Sequence, residues 1–324
     1  MSFSKYETRD SVISSETVVR GLWSGDLNEI TTFFTGSVTG SYANLYKEDP
    51  NVNTSASVQF SVQYGHVSGS GSTAINSSVP TNTPTRIVYG QYRNLVFGDE
   101  ETAFIFNGKI SENIFVVNID RSRYKESLKP GSFNIKLTSG SNTLVLTDDS
   151  NDSSTTNFYD SNRYYNIVSG SNGVTTTAAL TNPSGSLGLF LPDMGLIIFN
   201  ARALAQSPSN GGLGLITGSA NNHIQFYNII KAGAKFGLQS QETVSSRYFF
   251  TRVYNEDYNY TTNPSIIDDQ GNILYSTLID NPQTYITTVG LYNDNNELLA
   301  VAKLSRPLVK DFTKEQLLRI KLEY

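Results

Sequence analysis

The chain has 324 residues, a formal net charge of -5 and no cysteine. The lack of cysteine excludes disulfides, thiolate zinc sites and cysteine nucleophiles. The 24 basic and 29 acidic residues form no Lys/Arg run, so nucleic acid is not expected as a partner. The longest apolar run, Met194 to Phe199, is too short to span a bilayer, and the first ten residues lack the apolar stretch of a signal peptide. We therefore expect no membrane partner.

The composition favours strands over helices. Tyrosine and phenylalanine supply most of the aromatic residues, while long Ser, Thr, Asn and Gly stretches replace charged residues. This mixture suits strands with one wet face. The predicted fold is mainly β, with antiparallel sheets or a sandwich, several hairpins, an extended N-terminal arm and few short helices. The length allows either one large β body with extensions or two small domains.

Residues 1–56 carry scattered apolar side chains without a sustained period. Val12, Val18, Leu22 and Trp23 fit neither a helical nor an alternating pattern. We expect an N-terminal arm that docks on partner subunits.

Residues 57–235 are predicted to form a β-rich body. Val58, Phe60, Val62 and Tyr64 alternate with polar residues, which predicts a half-buried strand. The next segment, from His66 to Thr85, is rich in Ser, Thr, Gly and Pro and is expected to be an exposed loop. Two further strands, with a turn at Gly108, are predicted from the β-branched and aromatic residues that run from Ile87 to Lys125.

Several hairpins follow in the body. Alternation before and after residues 139–142 predicts the first, and the segment 164–180 is expected to form a second. Two apolar runs between 186 and 200 flank a Pro-Asp-Met-Gly turn and look deeply buried. Residues 221–235 are the best helix candidate, since apolar residues recur at three-residue steps, and residues 200–206 are expected to form one or two helical turns.

Residues 236–324 are predicted to form a C-terminal hairpin region that packs on the body. The aromatic-rich segment 245–260 is strand-like, and 284–292 is expected to pair with 297–304 across a polar loop. The last residues place Ile320, Leu322 and Tyr324 on one face, which predicts a terminal strand.

Motifs for catalysis are lacking in the sequence. His66 and His223 have no companion at metal-ligand spacing, and no GxSxG nucleophile turn or GK[ST] phosphate loop occurs. The segment Asp148 to Asp152 alternates Asp, Ser and Asp; a solvated turn is favoured, and a calcium ion stays open. Pairs such as Glu256 and Asp257 leave a carbohydrate-active enzyme open, because spacing alone does not show convergence in a cleft. We predict no enzymatic activity, no cofactor, no metal and no small-molecule substrate.

A set of aromatic residues is expected to pack in the core or at interfaces with neighbouring subunits. Replacing one of them, Trp23, by alanine is expected to weaken assembly while leaving the body folded. The predicted interface residues are Trp23, Phe33, Phe34, Tyr248, Phe249, Phe250, Tyr258 and Tyr260.

Five segments have a distinctive sequence: residues 89–101, 119–131, 189–200, 248–265 and 284–312. The last two, YFFTRVYNEDYNYTTNPS and TYITTVGLYNDNNELLAVAKLSRPLVKDF, are the most specific. Together these segments resemble structural proteins of T4-like myophages, particularly those that infect cyanobacteria. The resemblance implies a non-enzymatic virion protein, a baseplate wedge or tail subunit assembled in the host cytoplasm. Its expected partners are other tail and baseplate subunits and further copies of itself, and it is expected to rearrange on tail contraction.

Three other functions stay open at this point. A receptor-binding or fibre-attachment module would use its Tyr and Asn loops on glycans. A capsid or neck protein would share the composition of a tail subunit. A carbohydrate-active enzyme would need carboxylates that converge only in the folded chain.

Overall fold

The computed structural model describes residues 5–36, 41–72, 83–152, 156–159, 161–176, 182–260 and 263–323. The fold is mainly β, with 45% strand, antiparallel sheets and four short helices, which confirms the predicted class. The strands are β1 Ser11–Gly21, β2 Glu29–Ile30, β3 Phe34–Thr35, β4 Tyr42–Tyr46, β5 Val58–His66, β6 Phe104–Phe106, β7 Lys109–Ser111, β8 Asn113–Ile119, β9 Ser127–Leu128, β10 Asn134–Ser139, β11 Asn142–Asp148, β12 Asn157–Tyr159, β13 Asn162–Ser171, β14 Val174–Thr175, β15 Gly188–Leu191, β16 Leu196–Asn200, β17 Phe236–Gly237, β18 Gln239–Val253, β19 Thr284–Tyr292, β20 Leu298–Lys310 and β21 Gln316–Glu323. The helices are α1 Pro84–Phe97, α2 Ala201–Leu204, α3 Asn222–Gly233 and α4 Ser276–Asp280.

The chain divides into two compact units. Residues 17–242 form one, here called the body, and residues 1–16 together with 243–324 form the other, here called the C-terminal unit. These boundaries differ from the predicted divisions after residues 56 and 235.

A large curled sheet forms the frame of the body. Its strand order is β2-β17-β10-β11-β13-β15-β16-β8-β5-β4-β3, and β12 and β14 pair with β13. The central strands bury both faces: Phe115 and Val117 of β8 join the main core cluster, and Ile114 and Val116 join a second cluster on the other face. Helix α3 contributes to the first cluster and α1 to the second, so these strands are apolar throughout instead of alternating.

The predicted N-terminal arm, residues 1–56, contains side chains that are buried in the main core. For these residues the prediction of a docking arm is wrong. Leu22, Trp23, Ile30 and Phe33 are all buried in the main cluster of the body. The Trp23 ring packs 4.8 Å from the ring of Phe236, between centroids. Two-residue strands, turns and an isolated bridge at Trp23 carry these side chains, so no regular period in the sequence marks their burial.

Part of the predicted strand region is a helix. Helix α1 begins at Pro84, whose fixed φ suits a first helical turn, and ends at Gly98, which adopts a left-handed conformation. Its buried residues follow a three- or four-residue spacing, which β-branched and aromatic content obscured. They are Thr85, Val88, Tyr89, Tyr92 and Val96.

The predicted hairpins of the body are confirmed where the chain is described. Strands β10 and β11 pair up to Ser139 and Asn142, and β15 pairs with β16 across residues 192–195. Strands β13 and β14 are joined by Asn172 and Gly173, both with positive φ, as a two-residue hairpin turn requires. Residues 177–180 of that hairpin segment, and 73–82 of the predicted loop, lie outside the described residues.

The C-terminal unit contains a sheet and a separate ribbon. The sheet follows the order β1-β18-β21, with β9 paired to residues 240–241 of β18, and the ribbon consists of β19 and β20. This confirms the predicted hairpin, the terminal strand, and the strand in segment 245–260 as far as Val253. Residue 324, expected on the apolar face of the terminal strand, lies outside the described part.

Candidate interaction surface

Exposed apolar side chains are concentrated in the C-terminal unit. Among the described residues, 26 large hydrophobic side chains are exposed, and 15 of them belong to this unit, which has less than a third of the residues. Single exposed hydrophobic residues are ordinary on protein surfaces, but their accumulation in one region is typical of interaction surfaces. The accumulation therefore makes this unit the candidate site.

The same unit has little core of its own. Four of the 52 buried hydrophobic residues in the described chain lie in it, and each keeps 5–7% of its surface exposed. They are Val253, Leu291, Leu318 and Ile320. Since small cores give little stability, this unit gains from any partner that covers its surface.

One face of the C-terminal sheet is partly covered within the unit. Phe249 and Ile320 are opposite each other in the β18–β21 register. The Tyr6 ring contacts Phe249 edge-on at 5.6 Å between centroids, and its hydroxyl is hydrogen-bonded to Thr251. Phe249, one of the predicted interface residues, therefore has a neighbour inside the unit and is half-buried.

The opposite face is an aromatic and cationic surface. Tyr248 is opposite Lys321, and Phe250 is opposite Arg319. The guanidinium of Arg319 lies 5.6 Å from the Tyr248 ring centroid and the ammonium of Lys321 lies 5.8 Å from it. Leu317, on the same face, is 67% exposed. The charged groups of Arg319 and Lys321 keep this face hydrated, and part of the aromatic ring surface stays available to a partner.

A tyrosine-rich loop follows β18. Tyr254, Tyr258 and Tyr260 are exposed there, so the predicted interface residues Tyr258 and Tyr260 lie on the surface. Tyrosine combines a large apolar ring with a polar tip, which suits interfaces.

A buried lysine holds this loop. Lys310 has no exposed surface, and its ammonium donates hydrogen bonds to the main-chain oxygen of Asn255 at 2.8 Å and to Oδ1 of Asn259 at 2.9 Å. It also donates to the main-chain oxygen of Asp311 at 3.1 Å. Three donors thus meet three acceptors, which satisfies the ammonium fully.

Lys310→Met is expected to loosen the tyrosine-rich loop. The change leaves two loop oxygens without their charged donor, which costs about 2–3 kcal/mol in stability of this unit. Hydrogen exchange of the amides of residues 254–260 should speed up, while Lys303→Met, at an exposed position on the same strand, should leave exchange unchanged. Equal exchange in both variants would contradict the anchoring role of Lys310.

The turn after Lys310 is held by a carboxylate. Asp311 accepts hydrogen bonds from the Thr313 hydroxyl at 2.6 Å and main-chain nitrogen at 2.9 Å, and it pairs with Lys314 at 2.9 Å. Chiefly through the Thr313 hydroxyl, these contacts lower the pKa of Asp311 to about 2. An unfolded aspartate titrates near pH ~3.9. The stabilisation is therefore present above that pH and is lost as the pH falls through about 2.

The two strands of the ribbon are joined by a polar loop that is stabilised by hydrogen bonds to an asparagine side chain. Asn293 Oδ1 accepts hydrogen bonds from the main-chain nitrogens of Asn295 at 3.0 Å and Glu297 at 2.8 Å, and Asn296 has a φ of 62°. Such asparagine side chains fix a tight turn through their own backbone contacts. The loop therefore fixes how the two strands meet at this end.

Beside that loop, the ribbon carries an exposed apolar cluster, here called the ribbon tip. It consists of Tyr292, Leu298, Leu299 and Val301, all exposed, with Leu299 at 68%. The Tyr292 ring lies over Gly290, where an added Cβ would come within 2.8 Å of it. A lone two-stranded hairpin is marginally stable in water, so an apolar tip favours docking onto another surface.

The other predicted aromatic residues lie in the body. Trp23 and Phe33 are core residues, and Phe34 is half-buried in β3, opposite Tyr46. Trp23 and Phe33, two of the eight aromatic residues predicted for an interface, are thus corrected to the core, because neighbouring strands and helices bury them. The apolar residues of the ribbon tip were missed, since their sequence reads as an ordinary half-buried hairpin.

Asp148, the first residue of the acidic segment 148–152, has a structural role, because its carboxylate holds nearby main-chain nitrogens. Asp148 is fully buried, and its carboxylate accepts hydrogen bonds from the main-chain nitrogens of Gly131 at 2.9 Å, Phe133 at 3.3 Å and Ser150 at 3.2 Å. The favoured solvated turn is therefore wrong for Asp148. Burial raises the pKa of the neighbouring Asp149. Within the described ranges, no three His, Cys, Asp or Glu side chains are grouped so that they could hold a metal ion.

The two histidines and the carboxylate pair Glu256 and Asp257 lie in separate parts of the chain, on β5, on α3 and in the loop after β18. His66 is at the end of β5, where its Nδ1 accepts a hydrogen bond from the Ser68 main-chain nitrogen at 3.1 Å and burial lowers its pKa. His223 is buried in α3. Glu256 is exposed, and Asp257 accepts a hydrogen bond from the Tyr254 main-chain nitrogen at 3.2 Å.

The protein is mainly β. Its body holds most of the buried hydrophobic residues, and its smaller unit exposes many apolar side chains. None of the helices in the described ranges has the length and hydropathy of a membrane crossing. Comparison with protein-family models, with curated proteins and with solved structures finds no match.

Proposed function

We propose that this protein is a non-enzymatic structural subunit of a contractile-tailed phage particle, located in the baseplate wedge or tail. In that role the C-terminal unit docks on neighbouring subunits, including further copies of the chain. The observation that carries the proposal is the concentration of exposed apolar side chains on a unit that has four buried hydrophobic residues in its described part. The sequence resemblance to tail proteins of T4-like myophages supports the same role.

Physical chemistry favours assembly as the fate of this surface. Permanent interfaces resemble a domain core cut in half and are more apolar than the remaining protein surface. The ribbon tip and the tyrosine-rich loop offer the leucine and tyrosine side chains that such an interface covers. Left bare, an apolar strand pair is an aggregation hazard, and a particle in which each subunit covers its neighbour removes it.

Quantitative peptide mass spectrometry on purified, nuclease-treated particles tests the proposal. Intact virions, isolated tails and isolated heads would be compared for a phage that carries this gene. We expect enrichment in tails at a fixed copy number, in multiples that follow the symmetry of the tail. Enrichment in heads would favour a capsid or neck position, and absence from particles would contradict a structural role.

A further inference from the structure

The body contains a polar cleft whose lining residues are not part of the surface proposed for assembly. Its volume is about 380 Å³, within the range of roughly 300–1,000 Å³ that small-molecule sites occupy. Five of its eleven lining residues carry side-chain amides, an unusually high share. These five are Asn28, Asn134, Asn151, Asn172 and Gln239.

The floor of the cleft holds a buried amide that is only half satisfied. Asn134 is 2% exposed, and its Nδ2 donates to Oδ1 of Asn172 at 2.5 Å and to the Ser171 hydroxyl at 3.4 Å. Its Oδ1 has no hydrogen-bond partner within the described part of the chain. Buried polar atoms are nearly always hydrogen-bonded. Because the terminal torsion of asparagine is broad, a small rotation of the Asn134 amide lets its Oδ1 accept a hydrogen bond from a ligand in the cleft.

A glycine keeps the cleft open. Gly237 is opposite Asn134 in the β10–β17 register and also lines the cleft. A Cβ added at Gly237 would have its nearest neighbours at 3.6 Å, which is ordinary contact. A larger side chain there therefore fits the strand and fills the space beside Asn134.

The lining carries one carboxylate, that of Glu29, and one ammonium, that of Lys129, so its formal charges cancel. Glu29 pairs with Lys235 at 3.4 Å, and the Lys129 ammonium lies 3.5 Å from Oε1 of Gln239. The remaining polar groups are mostly amides, which both donate and accept hydrogen bonds. Sugar hydroxyls do the same. We propose that this cleft binds a short neutral saccharide.

A peptide is the less favoured occupant. Peptide sites combine main-chain hydrogen bonds with apolar pockets for side chains. Here Pro130 is the one lining residue with an apolar side chain. The saccharide proposal is independent of the proposed assembly function, and failure of either leaves the other standing.

Saturation-transfer NMR on the full-length protein tests the proposal. The probes are glucose, galactose, mannose, N-acetylglucosamine, maltose and lactose, with tetra-alanine as the peptide probe. We expect transfer to at least one sugar, and at least about tenfold weaker binding in Gly237→Val, the loss expected when the cleft is filled. Gly218→Val is the matched control, because Gly218 is exposed with open space around it.

Asn172→Gly provides a second variant if Gly237→Val does not fold. Asn172 has a φ of 52°, so glycine keeps the turn and removes only the amide. It should weaken sugar binding and leave the protein folded, and because it removes the acceptor of the Asn134 Nδ2 hydrogen bond, it should lower the melting temperature by a few degrees, roughly 2–4 °C. No transfer to any of the sugars, transfer to tetra-alanine alone, or equal binding in wild type and the folded cleft variants would overturn the proposal.

Discussion

Trp23→Ala is expected to lower the free energy of unfolding of the protein by about 3–5 kcal/mol, the range for large aromatic side chains removed from a core. Trp23 is 1% exposed, and its ring centroid lies 4.8 Å from that of Phe236 and 5.8 Å from that of Phe60. These three residues come from widely separated parts of the chain. Losing the indole therefore leaves a cavity where β5, β17 and the segment after β1 meet.

Urea denaturation followed by circular dichroism would measure this loss, because Trp23 is the one tryptophan of the chain and fluorescence would disappear with it. Val52→Ala, at a position 84% exposed in the body, is the control and should change stability by less than about 0.5 kcal/mol. An unchanged midpoint in Trp23→Ala would contradict the core position. It would return Trp23 to the partner-docking role that the sequence suggested.

The hairpins could be predicted from the sequence because their turns depend on local chemistry. Asn172 with Gly173, and Asn107 with Gly108, are pairs that accept positive φ, and both form the turns of hairpins. Alternation in β5 also gave its position within a few residues. These features depend on near neighbours, which a sequence displays directly.

The remaining errors come from contacts between distant segments. Helix α1 is rich in β-branched and aromatic residues, and its helical state is favoured by packing against the second core cluster as well as by Pro84 and Gly98. Trp23 looked like a docking residue because no local pattern surrounds it. In both cases the side chain is buried by a tertiary partner that sequence periodicity does not display, Phe104 for Tyr89 and Phe236 for Trp23.

The candidate surface was predictable in part. The exposed Tyr258 and Tyr260 were singled out by the density of aromatic residues around them. The ribbon tip was not, because alternating apolar residues in a hairpin normally face a core, and only the folded chain reveals that β19 and β20 pair with each other alone. Lys310 gave no signal, since a buried lysine reads as a surface residue in sequence.

Leu299→Asp combined with Val301→Asp is expected to reduce incorporation of the protein into particles by at least about tenfold, while the isolated protein stays folded. Both side chains are more than half exposed, so the free protein pays no burial of charge. At an apolar interface the two carboxylates would be desolvated without partners, and 1.4 kcal/mol of that penalty already corresponds to about a factor of ten. Incorporation is measured by mass spectrometry of particles from a phage whose gene carries the variant.

Val52→Asp combined with Ile216→Asp is the matched control, because it places the same two charges at exposed apolar positions of the body. It should incorporate normally if the C-terminal unit makes the contacts. Melting temperatures of both double variants should stay near that of the wild type, since surface substitutions usually change stability by less than about 0.5 kcal/mol. Normal incorporation of the ribbon-tip variant would exclude the tip as a docking surface, whereas equal loss in both variants would show that charge on any apolar surface position prevents assembly.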